Sequence, residues 1–359
     1  MNFSENLNSN QSEYELLLNY KQSLLRESIL EIIIYCLLFV IGGCANLIVL
    51  CKLISTIPRS SQMNYLLKHL TVADIIVIFV TITIEIIWRL TISWNTGQLS
   101  CKFVLTMRIF GLYLSSMILI CISIDRYFAF VFPFSFNNAK QRNKRLLISA
   151  YLSSIALSIP QAFVYHIERH PIFPGFTQCM SDNYFTSKWK ERMYNVTSLC
   201  GMYFVPLIVI VFCYSNILYT LHSNGASRKI NMYMYKRMLV YTYFLVHNDD
   251  SNLTSNRSHL VHRAKRKTLK VALTITFAFI VCWTPYAFVV IWFQFDEQSA
   301  RNSHPLIQTF LFLFAVSSSV VNPFVHSRHL LTDLRFRRAH NLTSTETVKQ
   351  NTSCKVTQV

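Results

Sequence analysis

The hydrophobic positions of this chain are gathered into long continuous runs that polar stretches separate. Each run is long enough for a helix across a bilayer, which takes roughly 20 residues. The runs are apolar throughout rather than alternating, so they indicate helices and argue against a membrane β-barrel. We predict an all-α membrane protein, a seven-transmembrane helix bundle. The spans lie near Ile29–Leu53, Leu66–Leu90, Val104–Phe130, Leu146–Val164, Val196–Leu221, Leu269–Phe293 and Leu306–Val325.

The composition agrees with a membrane protein. Hydrophobic residues make up 52% of the 359 residues and charged residues only 14%, whereas soluble domains carry about 25% charge. The 27 Phe and 18 Tyr exclude a disordered chain. The net charge of +17 would suggest nucleic acid in a soluble protein. In a membrane protein, basic residues collect in cytoplasmic loops, so we predict no nucleic-acid partner.

Lys and Arg also predict the orientation of the spans. They cluster in residues 135–145, 263–267 and 328–338, which lie on one side of a seven-span chain, whereas residues 91–100 carry no charge. We therefore expect the amino terminus outside and the carboxyl terminus in the cytosol. The expected divisions are an extracellular tail at 1–28, a seven-span domain at 29–326 with a long cytoplasmic third loop at 222–262, and a cytoplasmic tail at 327–359.

Two features lie outside the predicted spans. Met232–Val246 is apolar but only about 15 residues long, with Lys236 and Arg237 inside it; such a length is more typical of an interfacial helix than of a span. It is interpreted as an extension of the fifth helix or as an insertion. Asn2 and Asn10 begin Asn-x-Ser sequons on the tail that is predicted to lie outside, and they are the predicted glycosylation sites.

The ten cysteines are spread singly, with no spacing typical of a metal site. Most lie inside spans, where a free cysteine packs as a small apolar residue. Cys101 lies at the outer end of the third span, and Cys179 lies in the outer loop after the fourth. Because both face the oxidising side, we predict a disulfide between them. It would tether the long outer loop over the mouth of the bundle.

Nearly every span carries a short motif, and the ordered set is far more specific than any one member. Asp125-Arg126-Tyr127 ends the third span and Asn322-Pro323 lies in the seventh. The other motifs are Gly42–Asn46, Leu70–Asp74, Pro206 with Tyr214, and Cys282–Tyr286, which includes Trp283 and Pro285. With the Cys101–Cys179 pair, this set resembles rhodopsin-like (class A) G-protein-coupled receptors over roughly Glu31–Arg338.

Longer stretches sharpen the resemblance. They are Phe110–Ser116, Ser158–Gln161, His170–Cys179, Phe212–Tyr214, Arg263–Thr268 and Phe314–Ser317. Together they resemble the gonadotropin-releasing hormone, adipokinetic hormone and corazonin receptor group. The resemblance implies a plasma-membrane receptor, not an enzyme, that takes a short peptide ligand and signals through a heterotrimeric G protein of the Gq type, releasing calcium. The alternatives are another class A peptide receptor, such as the vasopressin/oxytocin-like group, or a transporter or intramembrane enzyme; no internal repeat or nucleophile–base set supports the last two.

Ionisable residues inside spans are expected to be functional. Arg126 requires a partner, which adjacent Asp125 supplies, and the resemblance implies that activation frees Arg126 to meet the G protein. Asp74 is expected beside Asn46, Asn322 and Ser319, the cluster in which the family holds a sodium ion or waters; no other cofactor is expected. The resemblance assigns coupling and activation to Asp125, Arg126, Tyr127, Tyr214, Trp283, Pro285, Asn322 and Pro323.

A candidate ligand pocket lies in the outer halves of the second and third spans. Glu85, Trp88 and Arg89 are spaced i, i+3, i+4 and share one helix face. Arg108 follows Cys101 by seven residues, about two turns or roughly 10 Å into the bundle, and Glu85 is its expected partner. The resemblance implies that these residues, with Tyr286, line the peptide pocket; the alternative is a structural ion pair. Arg108 argues against an amine receptor, which has Asp there.

Two residues depart from the family pattern, and the segment after the seventh span carries further features. His326 and Tyr151 stand where the superfamily usually has Tyr and Trp respectively. After the seventh span, apolar and basic residues alternate between Arg328 and Arg338, which predicts a short amphipathic helix on membrane lipid. Ser and Thr at 344–353 are candidate sites for arrestin recruitment, and Thr357-Gln358-Val359 resembles a ligand for a PDZ protein. The alternative for both is a solvated polar tail.

Overall fold

Residues 2–55, 62–132, 138–169, 176–181, 183–223, 251–296, 298 and 310–327 are described by the structure, which is a computed structural model. For residues 2–17, 19, 20 and 251–265 it describes the backbone alone. The predicted segment Met232–Val246 and the tail beyond Ser327 lie outside the described residues. The amphipathic helix and the arrestin and PDZ sites therefore stay predictions, as does glycosylation of Asn2 and Asn10.

Seven helices in the described part of the chain are long and apolar enough to cross a membrane, as predicted. We number them in chain order. They are α1 Asn2–Ser55, α2 Gln62–Thr91, α3 Gln98–Val131, α4 Ala139–Val164, α5 Lys188–Ser223, α6 Ser251–Phe295 and α7 Phe310–Ser327. The backbone of α1 is already helical at Asn2, so residues 2–28 of the segment expected as a tail are continuous with the first helix. The apolar part of α6 is Arg266–Phe295.

The distribution of side chains is that of a bundle surrounded by lipid. Large apolar residues point outward, including Ile208, Phe277 and Phe288, each about two-thirds exposed. Polar side chains are instead buried between helices: Asn46 and Asp74 are fully inaccessible. Such an arrangement would be unstable in water, but it leaves apolar atoms against hydrocarbon and pairs polar atoms with one another.

The helices are not uniform, and irregular turns lie inside α2 and α5 rather than at their ends. Val77–Ile82 in α2 and Cys200–Phe204 in α5 are π-helical turns, which insert an extra residue and re-aim the side chains that follow. Pro206 lies just after the second of them and lacks a backbone donor. Pro285 interrupts α6, where the Thr284 hydroxyl donates to the Ile280 carbonyl at 2.6 Å.

A glycine sets the closest approach of α1 to its neighbours. A Cβ added at Gly42 would lie 2.8 Å from Val320 Cγ2 on α7 and 2.9 Å from Ile78 Cδ1 on α2. Its carbonyl also accepts a hydrogen bond from the Asn46 amide at 3.0 Å. Close approach of three helices is typical of small residues in membrane bundles. Here it brings Asn46 against α7, where its amide donates to the Ser319 carbonyl at 3.0 Å.

A short antiparallel hairpin follows α4 and was not predicted. Its strands are β1, His166–Arg169, and β2, Thr177–Met180, with Ile167 opposite Cys179. Cys179 forms the expected disulfide with Cys101 at the start of α3. The hairpin also hydrogen-bonds to the α2–α3 connection, since Trp94 N donates to the Thr177 carbonyl at 2.7 Å. It therefore lies across the end of the bundle that contains the start of α3, which we call the disulfide end.

Candidate functional site

Four charged side chains form a continuous network near the disulfide end. Arg108 of α3 pairs with Glu85 of α2, as predicted, and Glu85 also pairs with Arg89. Arg89 Nε in turn donates to Glu31 Oε2 of α1 at 2.7 Å, a partner that the sequence analysis missed. Two carboxylates and two guanidiniums alternate, so the network is electrically balanced. In a low-dielectric bundle, such pairing removes the large cost of isolated buried charges.

Aromatic rings surround the two guanidiniums of this network. The Arg108 guanidinium lies 4.8 Å from the ring centre of Phe312 and 6.0 Å from that of Trp88. Arg89 lies 4.8 Å from the Tyr35 ring. All three distances are in the range of cation–π attraction. Phe312 and Tyr35 are therefore part of the site, although no motif in the sequence pointed to them.

Arg108 retains an unused donor in this arrangement. Among the described residues, its Nε has no hydrogen-bond partner, and neither does the buried Tyr35 hydroxyl. Arg89, by contrast, uses Nε on Glu31 and Nη1 on Glu85. A buried donor without a partner is costly, and Arg108 is therefore the member of the network best suited to a further polar contact.

Rings connect this network to the middle of the bundle. Phe312, Tyr286, Trp283 and Phe279 form successive pairs with centroid separations of 5.7 to 5.9 Å. The Trp283 indole N–H donates to the Ser318 hydroxyl of α7 at 3.3 Å. The predicted pocket residue Tyr286 thus lies between the charged network and Trp283, beside the kink at Pro285. These ring contacts join Phe312 of α7, which lies against Arg108, to the kinked part of α6.

The polar centre lies below Trp283 and is built around Asp74. Asn322 donates to Asp74 Oδ2 at 2.9 Å and Ser115 to Oδ1 at 3.2 Å, while Ser319 is also hydrogen-bonded to this carboxylate. Asn46, expected beside Asp74, instead donates to the carbonyls of Gly42 and Ser319. A carboxylate with two serine hydroxyls beside it offers oxygen ligands of the kind that a hard cation such as sodium binds.

At the opposite end of the bundle, Asp125 and Arg126 form the expected pair. Arg126 Nε donates to Asp125 Oδ2 at 3.1 Å, and its Nη1 donates to the Thr268 hydroxyl of α6. The Asn143 amide of α4 donates to Asp125 Oδ1 at 2.7 Å. Both charged side chains are buried. We call this the Arg126 end. Thr268 and Asn143 could not be paired with the motif from sequence, because they lie on other helices.

The remaining predicted residues occupy this half of the bundle. Tyr127 packs on Phe128, Phe132 and Phe212, and the Tyr214 hydroxyl accepts from Thr276 at 3.5 Å. Pro323 is buried in α7. His326, which replaces the usual Tyr, is fully buried and lies 3.5 Å from the Thr71 hydroxyl of α2. Its ring therefore faces α2.

Known proteins with similar sequences agree with this geometry. Residues 45–326 match the family described as 7 transmembrane receptor (rhodopsin family). The gonadotropin-releasing hormone receptor of Octopus vulgaris is 31% identical over 289 residues, 80% of this chain and 68% of the relative. The gonadotropin-releasing hormone II receptor of Clarias gariepinus is 28% identical over 295 residues, covering 80% and 72%.

A third relative extends the match further along the chain. The gonadotropin-releasing hormone II receptor of Chlorocebus aethiops is 27% identical over 320 residues, which cover 87% of this chain and 78% of the relative. The motif-based resemblance to class A receptors is thereby confirmed. With seven helices that can cross a membrane and a matched region that spans most of the chain, this protein belongs to the rhodopsin family of seven-transmembrane receptors and is a multi-pass protein of the plasma membrane.

Proposed function

We propose that this chain is a receptor for a short peptide hormone of the gonadotropin-releasing or adipokinetic type, and that it activates heterotrimeric G proteins. The observation that carries the proposal is Arg108, a buried guanidinium with an unused Nε–H donor inside a balanced, aromatic-lined network. The names of the relatives support the ligand class. Members of this family are receptors rather than enzymes, so no catalytic constellation is invoked.

The balanced network favours a ligand without net charge at the point of contact. Glu31, Glu85, Arg89 and Arg108 already neutralise one another, so an added ammonium or carboxylate would leave one charge in excess. A neutral carbonyl, such as that of a blocked amino terminus or an amidated carboxyl terminus, needs only a donor. Arg108 offers that donor in a fixed planar geometry.

Coupling is assigned to the Arg126 end of the bundle, which we propose faces the cytosol. The basic residues of 135–145 and 263–267 lie at this end of α4 and α6 in the sequence, as the positive-inside preference requires. The disulfide end then faces the oxidising exterior. We propose a Gq-type G protein and a calcium response by resemblance to the receptor group.

A peptide panel tests the proposal in cells that express the full chain. Short amidated peptides of the gonadotropin-releasing, adipokinetic, corazonin and vasopressin types are applied, and calcium and cyclic AMP are recorded. We expect a saturable calcium response to a peptide of the first three types. An Arg126→Gln variant at equal surface expression is the control and should respond far less. A response confined to vasopressin-type peptides would favour the alternative, and a response to none would contradict the proposal.

We also propose that Asp74, with the hydroxyls of Ser115 and Ser319, holds a sodium ion. Sodium at about ten times its dissociation constant for the folded receptor adds about 1.4 kcal/mol of stability. For a chain of 359 residues, this raises the melting temperature by about 2 °C. The purified, unliganded receptor should therefore melt higher in sodium than in choline chloride. Asp74→Asn should abolish the difference, whereas Ser116→Ala should keep it, since Ser116 bonds to the Leu112 carbonyl. Equal melting of the wild-type receptor in both salts would exclude the site.

A further inference from the structure

The two oxygens of the Asp125 carboxylate contact residues of different helices. Its Oδ2 accepts from Arg126, the next residue of α3. Among the described residues, the polar contacts of its Oδ1 come from α4, where Asn143 Nδ2 donates at 2.7 Å and Arg142 Nη2 lies 3.7 Å away. The α3 arginine and the α4 residues therefore hold different oxygens, and one can leave without disturbing the other.

Arg142 is held in position but is not yet fully bonded. Its guanidinium lies 4.3 Å from the centre of the Phe128 ring, a cation–π distance, and the side chain is only 17% exposed. Among the described residues its Nε has no hydrogen-bond partner. Its distance to Asp125 exceeds that of a charge-assisted hydrogen bond by only about 0.9 Å, since such bonds are about 2.8 Å long.

The place of Arg142 in its helix requires an explanation. It lies in the first turn of α4, which begins at Ala139, and a cation there is opposed by the helix dipole. The same dipole favours an anion at this helix end. The Asp125 carboxylate supplies such an anion, 3.7 Å from the Arg142 guanidinium.

We propose that Arg142 and Asn143 are positioning residues that take over the Asp125 carboxylate when Arg126 leaves it to engage a G protein. The inference rests on the proposed function, because it assumes that Arg126 is released during coupling. Without α4 partners, release of Arg126 would leave a buried carboxylate unpaired, which is strongly unfavourable. With these partners present, a movement of Arg142 by less than an ångström forms a hydrogen-bonded ion pair with Asp125. This pair lowers the free energy needed to release Arg126.

The contribution of Arg142 depends on whether Arg126 is paired with Asp125. While Arg126 occupies Oδ2, the attraction between Asp125 and Arg142 is shared with a nearer cation and is opposed by repulsion between the two guanidiniums. Once Arg126 has left, Arg142 is the nearest cation to the carboxylate among the described residues. Removing Arg142 therefore destabilises the released arrangement more than the resting one.

Affinity for a nucleotide-free G protein, measured without an agonist, reports the fraction of receptors in which Arg126 has left Asp125. The apparent affinity decreases as this binding-competent fraction decreases. Purified full-length receptor is used, with the Gα class that gives the largest nucleotide exchange. We expect Arg142→Gln to weaken this affinity about tenfold, equivalent to about 1.4 kcal/mol. Arg142→Lys keeps the charge and should stay within about threefold of wild type. Arg145→Gln, which removes the same charge from an exposed position of α4, should have no effect.

Repeating the comparison in a receptor that carries Asp125→Asn separates a positioning role of Arg142 from structural support. In Asp125→Asn there is no carboxylate to hand over, so Arg142→Gln should then change the affinity very little. An equal loss in both backgrounds, or an equal loss in Arg145→Gln, would overturn the inference. If Arg142→Gln does not reach the surface, Phe128→Leu is used instead, because it keeps the charge of Arg142 and removes the ring that supports it. Phe128→Leu should weaken G-protein binding about threefold when residue 125 is Asp. It should have little effect when residue 125 is Asn. Binding of no Gα class by the wild-type receptor would instead contradict the proposed function on which the inference rests.

Discussion

Arg108→Ala is expected to lower the potency of the activating peptide by about 10- to 150-fold. The loss corresponds to one charge-assisted hydrogen bond of about 1.5–3 kcal/mol, donated by a guanidinium that has a free Nε–H beside its Glu85 pair. The measurement is the calcium dose–response at matched surface expression. Arg108→Lys should recover little, because an ammonium cannot reproduce the planar guanidinium geometry. Unchanged potency in Arg108→Ala would exclude the contact.

A purely structural role for Arg108 must be separated from ligand contact. Exchanging the charges of Arg108 and Glu85 would test this, but the simple swap places an arginine at 85 one turn from Arg89, where the two cations repel. The swap is therefore made with Arg89→Gln, whose amide can still donate to Glu31. Arg89→Gln alone is the matched control. If the swapped receptor recovers expression and potency, Arg108 serves only as a partner of Glu85; recovered expression without potency supports the ligand contact.

Sequence reasoning predicted partners that are adjacent, that lie in family motifs, or that carry opposite charges in facing spans, as Glu85 and Arg108 do. Asp125 and Arg126 are neighbours in the sequence. Asp74 and Asn322 belong to two family motifs that lie close together in the seven-helix bundle of the family. Glu31 and Arg89 are 58 positions apart, and a lone Glu at the end of a hydrophobic run carries no signal of its partner. Asn143 and Thr268 were missed for the same reason. Their contacts depend on how α4 and α6 rotate, which apolar periodicity leaves open.

Local irregularities were harder to predict than helices. The hairpin His166–Arg169 with Thr177–Met180 is only four residues to a strand, too short for clear alternation. Its position depends on tertiary contacts, namely the disulfide and the bond from Trp94 to Thr177. The π-helical turn at Cys200–Phe204 lies beside Pro206, which the sequence analysis used only as a motif residue. Local sequence propensity therefore predicted the spans but not the structure of the connections at the disulfide end.

Replacing either Cys101 or Cys179 with Ser should greatly reduce the number of receptors that bind peptide at the cell surface. The disulfide closes a segment of 78 residues, and cross-links that close loops of this size stabilise soluble chains by about 4–5 kcal/mol in the chain-entropy treatment. Helices α3 and α4 lie within this segment and remain inserted in the membrane, so the benefit here is smaller. The principal effect is on the hairpin, whose remaining polar links to the α2–α3 connection are hydrogen bonds.

The double variant distinguishes a bridge from two independent residues. If the sulfurs act only as one disulfide, Cys101→Ser with Cys179→Ser should be no worse than either single change, and better if a lone thiol mispairs. Cys36→Ser, a free and exposed cysteine in α1, is the control and should express normally. Surface receptor is counted with an epitope tag at the amino terminus of unpermeabilised cells, which also tests the orientation. Staining of a carboxyl-terminal tag on the same intact cells would reverse it, placing Cys101 and Cys179 on the reducing side where a stable disulfide is not expected.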